Sequence, residues 1–303
     1  MGDNEWGSIK YPFVPGHEMT GIVTKVGSNV KKFKVGDRVG AGAMAATCLD
    51  CELCTSSKEN YCEKLELIIG GTFWDGTVMQ GGFSKLIVYD QRYIVHVPES
   101  LPMDAASPLL CAGITVFTPM KYNHLFETTG RKVGVVGLGG LGHVAVKFAK
   151  AFGHHVTIIS TSPSKEKEAR VRLGADDFLL STDANQMQAK KRSLDVIIDT
   201  TAVARDLGAT LELLKVDGTL CIVGIPGEPY ELPAIPLTFG KKNIQGSLIG
   251  SIEETQEMMD ICGKHNITCD IELVKPGQIN EAFDRILRND IKYRFVIDIA
   301  EET

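Results

Sequence analysis

The spacing of apolar residues changes twice along this chain. Between residues 19 and 45, TGIVTKVG and VGDRVGAG alternate apolar and turn-forming residues, the pattern of short strands in a small β barrel. GFSKLIVYDQRYIVHV, residues 82–97, alternates in the same way and predicts two more strands. Near residue 105 the period lengthens, and AASPLLCAGITVFTPMKY has helical spacing. A series follows in which short apolar runs alternate with helical patterns: VGVVG, LGHVAVKFAKAFG, VTIIS, SKEKEARVRLG, DDFLL, DVIIDT, TLCIVGI and NIQGSLIG. Continuous apolar runs separated by helices predict an α/β fold with a parallel sheet covered on both faces. EETQEMMDICGKH and INEAFDRILRN predict two closing helices, and YRFVIDI a terminal strand.

Composition narrows the function more than the fold. A chain of 303 residues has room for about two domains. A net charge of −6 offers no electrostatic footprint for nucleic acid or an anionic membrane. No run of about 18 apolar residues suggests a membrane span. The opening MGDNEWG has no apolar core for a signal peptide, so a cytoplasmic protein is expected. In that compartment, eight cysteines read as metal ligands or buried thiols rather than disulfides.

Half of those cysteines lie in TCLDCELCTSSKENYC, where Cys48, Cys51, Cys54 and Cys62 are spaced C-x2-C-x2-C-x7-C. Four thiolates in one short lobe suit a closed tetrahedral zinc site, structural because no ligand place is left for substrate. Bacterial iron–sulfur runs are spaced more closely and end in Cys-Pro. The remaining alternative is four buried thiols without a metal. Cys221, Cys262 and Cys269 read as core thiols, and Cys111 taken alone as a buried helix thiol.

VGVVGLGGLG carries G-x-G-x-x-G at Gly137, Gly139 and Gly142, between an apolar run and a helical pattern. That context turns a weak motif into a dinucleotide turn. Gly137 permits the tight turn, Gly139 lets backbone approach a pyrophosphate, and Gly142 allows close helix–strand packing. The plainer reading is a simple strand–helix turn. The next strand ends Ser160-Thr161-Ser162-Pro163-Ser164-Lys165, with no acid to hold ribose hydroxyls and repel a 2′-phosphate. NADP is therefore favoured over NAD.

YPFVPGHE, residues 11–18, places His17 and Glu18 after a Pro-Gly turn, in the manner of a zinc ligand pair. No cysteine or histidine among the ten preceding residues completes a site. The other histidines show no partner spacing.

GHE, the four-cysteine lobe, PLLCAGIT, GLGGLG, STSPSK and YRFVIDI together resemble the plant cinnamyl alcohol dehydrogenases, over essentially the whole chain. These are zinc-dependent, NADP-linked medium-chain dehydrogenases. The resemblance implies a GroES-like β-barrel catalytic domain at 1–111 with a structural zinc lobe at 47–63. It also implies a doubly wound Rossmann domain at 112–250 and a return to the catalytic domain at 251–303. A homodimer that interconverts cinnamaldehyde-type aldehydes and primary alcohols, in phenylpropanoid or lignin chemistry, is the implied protein. His17 and Cys111 match ligands of a catalytic zinc, and Glu18 matches the acid beside them. Thr115, Thr200, Gly224, Ser247, Leu248 and Ile249 match cofactor-contacting positions. The turn residues Gly137, Leu138, Gly139, Gly140, Leu141 and Gly142 match the family's pyrophosphate turn, and Ser160, Thr161, Ser162 and Lys165 its 2′-phosphate loop. The family carries about 50 further residues before Met1, which include a first cysteine ligand of the catalytic zinc. On that reading Glu18 is the acid left to substitute, and Glu5 the remnant of a proton relay. A catalytically silent NADP-binding homologue is the alternative expectation.

Overall fold

A computed structural model describes residues 11–299. Two compact units divide the chain: residues 1–114 with 249–303, and residues 115–248.

In the first unit, β1 (Met19–Ile22), β2 (Arg38–Ala41) and β5 (Ile94–His96) form an antiparallel sheet in the order β1-β2-β5. A second pair, β3 (Met44–Ala46) and β4 (Glu66–Leu67), is also antiparallel. Ala45, Ala46, Ile68 and Met79 pack the core beneath that pair. The lobe between β3 and β4 holds the four-residue helix α1 (Glu52–Thr55) and a single 3-10 turn, Glu59–Tyr61. Residues 103–122 are helical, but not continuously. Helix α2 (Met103–Ala106) and a 3-10 turn (Ser107–Leu110) precede α3 (Ala112–Tyr122). Cys111 sits at the break, with φ −131° and ψ −61°. Pro108 has no N–H to donate, which suits the tighter turn before the break.

The second unit is built on six parallel strands: β6 (Lys132–Val136), β7 (His155–Ser160), β8 (Asp177–Leu180), β9 (Leu194–Asp199), β10 (Leu214–Ile222) and β11 (Asn243–Gly246). Their order is β11-β10-β9-β6-β7-β8, the doubly wound arrangement the sequence predicted. Helices α4 (Gly142–Ala151), α5 (Ala184–Ala189), α6 (Gly208–Leu213) and α7 (Ala234–Thr238) connect them. The core runs through Ile159, Leu179, Leu194, Ile197, Leu211 and Leu220. In the segment SKEKEARVRLG the helix widens to a π-type turn over Glu168–Arg172.

The first unit closes with α8 (Ile252–His265), strand β12 (Ile271–Val274), α9 (Ile279–Leu287) and strand β13 (Arg294–Ile297), the last pairing in parallel with β12. Ser251 caps α8 in a capping box with Glu254. Among the described residues, no helix is long and apolar enough to cross a membrane.

One expectation fails. Of the two strands predicted within 82–97, only β5 forms. Residues 83–90 are not in a strand, and Leu86 and Val88 are 76% and 97% exposed. Alternating apolarity makes a strand only where a neighbouring edge supplies hydrogen bonds and a packed face. Here the Phe83 N–H reaches the Pro15 carbonyl at 2.9 Å and Tyr89 packs on the core beneath β3 and β4, but no strand ladder forms along 83–90.

Candidate active site and cofactor turn

The four-cysteine lobe closes into one cluster. Its Sγ atoms stand 3.8 Å apart for Cys48–Cys54, 3.9 Å for Cys51–Cys62 and 3.5 Å for Cys48–Cys62. Ligands at the usual zinc–sulfur bond length in a tetrahedron are separated by about 3.8 Å. The spacing therefore fits zinc. The backbone N–H groups of Cys48 and Lys64 help pull the Cys62 thiol down to about 7, which readies it as a thiolate. A hydrogen bond with Asp50 pushes Cys48 up to about 12.

His17, Glu18 and Cys111 converge in the same unit, with a ligand atom from each within 4.8 Å of the others. The break before α3 leaves Cys111 half-buried. Burial lowers the His17 pKa, against the pull of the neighbouring Glu18, and so favours the neutral imidazole a metal needs. A nitrogen, a sulfur and a carboxylate form a donor set that suits zinc. Glu18 is already engaged. One oxygen accepts the Ala112 N–H at 3.3 Å, and the other is ion-paired with Arg294 on β13. Ser107 donates its hydroxyl to the Glu18 carbonyl at 2.7 Å. Sequence reading gave no role to Arg294 or Ser107. The signal for Arg294 was there, a cation inside the apolar run YRFVIDI. Glu5 lies outside the described residues.

In the second unit, the predicted cofactor residues fall mostly at the carboxyl ends of the parallel strands, where open α/β sheets bind their ligands. Gly137–Leu141 form the turn from β6 to α4, Ser160 ends β7, Thr200 follows β9, Gly224 follows β10, and Ser247 and Leu248 follow β11. Gly137 has φ +86°, a conformation that favours glycine. A Cβ on Gly142 would lie 2.1 Å from the Gly137 carbonyl oxygen. A Cβ on Gly139, by contrast, would meet nothing within 4 Å, which leaves room at the turn for a ligand. The Ser247 hydroxyl is buried without a partner among the described residues. These features fit a dinucleotide.

Two of the predicted cofactor residues lie away from these strand ends. Thr115 is buried in α3 and Ile249 belongs to the first unit. The Ser160 hydroxyl accepts the Ser162 N–H at 3.1 Å, which leaves Thr161 and Ser162 as the more accessible hydroxyls. Lys165 donates to the Leu138 carbonyl at 3.0 Å and so ties its loop to the glycine turn.

Because the Gly142 site cannot hold a methyl group without moving that turn, Gly142→Ala is expected to weaken dinucleotide binding at least about tenfold. Fluorescence titration of the purified variant checks this.

A parallel-sheet nucleotide unit joined to a β unit with two zinc-type donor clusters defines a medium-chain alcohol dehydrogenase. Residues 140–264 match the zinc-binding dehydrogenase family, and residues 1–99 match the alcohol dehydrogenase GroES-like domain. The chain is 60% identical over 302 residues to a probable cinnamyl alcohol dehydrogenase of Oryza sativa subsp. japonica, covering 99% of this chain and 84% of that one. It superposes with a TM-score of 0.96 on a cinnamyl alcohol dehydrogenase of Sorghum bicolor, at 50% identity, over 99% of this chain and 85% of the other. A Helicobacter pylori relative solved with NADP(H) gives a TM-score of 0.91 at 37% identity, over 99% and 86%. The chain belongs to the plant cinnamyl alcohol dehydrogenase family. The alternative of a catalytically silent homologue gains no support from these relatives.

Proposed function

We propose that this protein reduces cinnamaldehyde-type aldehydes to primary alcohols with NADPH, and catalyses the reverse oxidation, in the supply of phenylpropanoid or lignin precursors in the cytoplasm. The observation that carries the proposal is the convergence of His17, Glu18 and Cys111. His17 and Cys111 would hold a catalytic zinc, with Glu18 in reach, and the four-cysteine lobe a structural one. When bound, zinc supplies a Lewis acid for the substrate oxygen and the nicotinamide supplies the hydride.

The chain's own residues prepare that chemistry. His17 is held neutral by burial and so has a free nitrogen lone pair for the metal. Arg294 holds Glu18 by one oxygen and Ala112 holds it by the other, which fixes the carboxylate beside the two stronger ligands. The glycine turn leaves open space where the pyrophosphate would lie. No carboxylate stands at the end of β7 to repel a 2′-phosphate, and Thr161, Ser162 and Lys165 supply donors there. A homodimer is supported by two exposed apolar side chains, Ile235 in α7 and Phe239 at its end, 70% and 81% exposed, which precede the edge strand β11 in the chain.

The test is the zinc-loaded protein assayed with coniferaldehyde and either cofactor. NADPH is expected to outperform NADH by at least about tenfold in kcat/KM, one good charge-assisted contact's worth. Lys165→Ala is expected to erode that preference. Equal use of the two cofactors would overturn the NADP reading, and no turnover with either would overturn the activity.

A further inference from the structure

We propose that Arg205 is a positioning residue for the dinucleotide: it locks the loop after β9, and through that loop holds the glycine turn and the loop after β10 ready for the cofactor. The inference rests on the dinucleotide reading above and adds a residue that touches none of the predicted contacts.

Asp199 ends β9, near the middle of the sheet, and its side chain is fully buried. Both carboxylate oxygens are committed. One accepts the Thr201 N–H at 3.1 Å and the Thr201 hydroxyl at 2.8 Å. The other is ion-paired with Arg205, which also donates to the Thr201 hydroxyl oxygen at 2.8 Å. The guanidinium lies 6.0 Å from the centre of the Tyr230 ring. A buried carboxylate that loses its cation is strongly disfavoured, so the pair holds the loop from 200 to 205 in one arrangement.

That arrangement reaches two further loops. The Thr200 N–H and hydroxyl both donate to the Val136 carbonyl, at 3.1 and 2.8 Å, one residue before Gly137. On the other side, the Val223 and Gly224 N–H groups donate to the Asp199 carbonyl at 3.0 and 3.3 Å. A Cβ on Gly224 would lie 1.9 Å from the Thr201 carbonyl oxygen, so these two loops are packed backbone against backbone. The Arg205 carbonyl accepts the Glu231 N–H at 3.2 Å, which fastens the far end of the loop after β10. The loop that the guanidinium holds therefore makes backbone contacts with both neighbouring strand-end loops. The guanidinium's planar fork engages Asp199 and Thr201 together, which an ammonium group does poorly.

The experiment compares the parent with Arg205→Lys and with the double variant Asp199→Asn/Arg205→Met, which leaves no buried charge unpaired. NADPH Kd, KM for NADPH, kcat at saturating NADPH and thermal stability are measured on each. The expected result is a rise of about tenfold in NADPH Kd and KM, the size of coupling found within one network, with kcat preserved within about twofold. A purely structural role would lower thermal stability and leave Kd of the folded protein unchanged. NADPH binding within about twofold of the parent in the folded variants would overturn the inference. Should neither variant fold, Thr201→Val removes only the bridging hydroxyl. It is then expected to raise Kd about threefold, and an unchanged Kd overturns the proposal. A parent that binds neither NADPH nor NADH would overturn the dinucleotide reading itself, and this inference with it.

Discussion

Replacing Cys111 with alanine is expected to reduce aldehyde turnover by about a thousandfold while NADPH binding stays within about twofold of the parent. The size follows from the chemistry. A Lewis acid at the substrate oxygen supplies several kcal/mol of transition-state stabilisation, and each factor of ten in rate corresponds to about 1.4 kcal/mol. His17 and Glu18 alone would hold zinc weakly, because Glu18 is already shared with Arg294 and the Ala112 N–H. The fold should survive. Cys111 is half-buried at a break between two helical segments, where alanine meets no conformational objection. The dinucleotide candidates at the strand ends lie in residues 115–248, apart from this change in sequence and unit. The check is steady-state kinetics with cofactor titration and a zinc count, which is expected to fall by one per chain. Activity above about a tenth of the parent's would remove Cys111 from the metal site.

Cys62→Ser should act on the other metal and by another route. The lobe it belongs to has almost no core of its own. Helix α1 is four residues long and buries none of them, and only Asn60 is buried in the following turn. A helix that short does not persist by itself. On the zinc reading the metal is what carries the lobe, and apparent zinc-binding energies in small cysteine sites run to about 10 kcal/mol or more. Losing the cysteine most readily converted to thiolate should release the ion and unravel residues 47–63. The Glu59 carboxylate, which accepts the Ile252 N–H at the start of α8 at 2.7 Å, would be released with it. Expected readouts are one zinc fewer per chain, lower thermal stability and rapid tryptic cleavage at Lys58 and Lys64. A variant that keeps its zinc and resists trypsin as the parent does would show that the lobe is held by packing instead.

What was legible in the sequence was local. The four-cysteine lobe spans Cys48 to Cys62, and bringing its thiols together needs only short loops. The glycine turn is legible for the same reason: Gly137 needs a left-handed backbone and Gly142 needs contact with Gly137, both within one strand–turn–helix unit. The parallel sheet followed from period and apolar runs, which are properties of consecutive residues. His17 and Glu18 stand side by side as a legible pair, but Cys111 could be joined to them only through a family resemblance, since nothing in its spacing links it to them.

The tertiary structure alone decided the rest. Glu18 meets Arg294 across 276 positions, and no local pattern encodes a pairing of that range. Arg205 looks like a surface cation in sequence, and only the fully buried Asp199 shows what holds it. Residues 83–90 have a strand's alternation and no strand, because pairing depends on an edge supplied from elsewhere in the fold. Lys165 turns to the Leu138 carbonyl instead of standing free on a helix. Torsion preference and period act between neighbours in the chain, so sequence carries them. Which charge is buried against which, and which edge is covered, depends on packing between distant segments, and that exists only once the chain has folded.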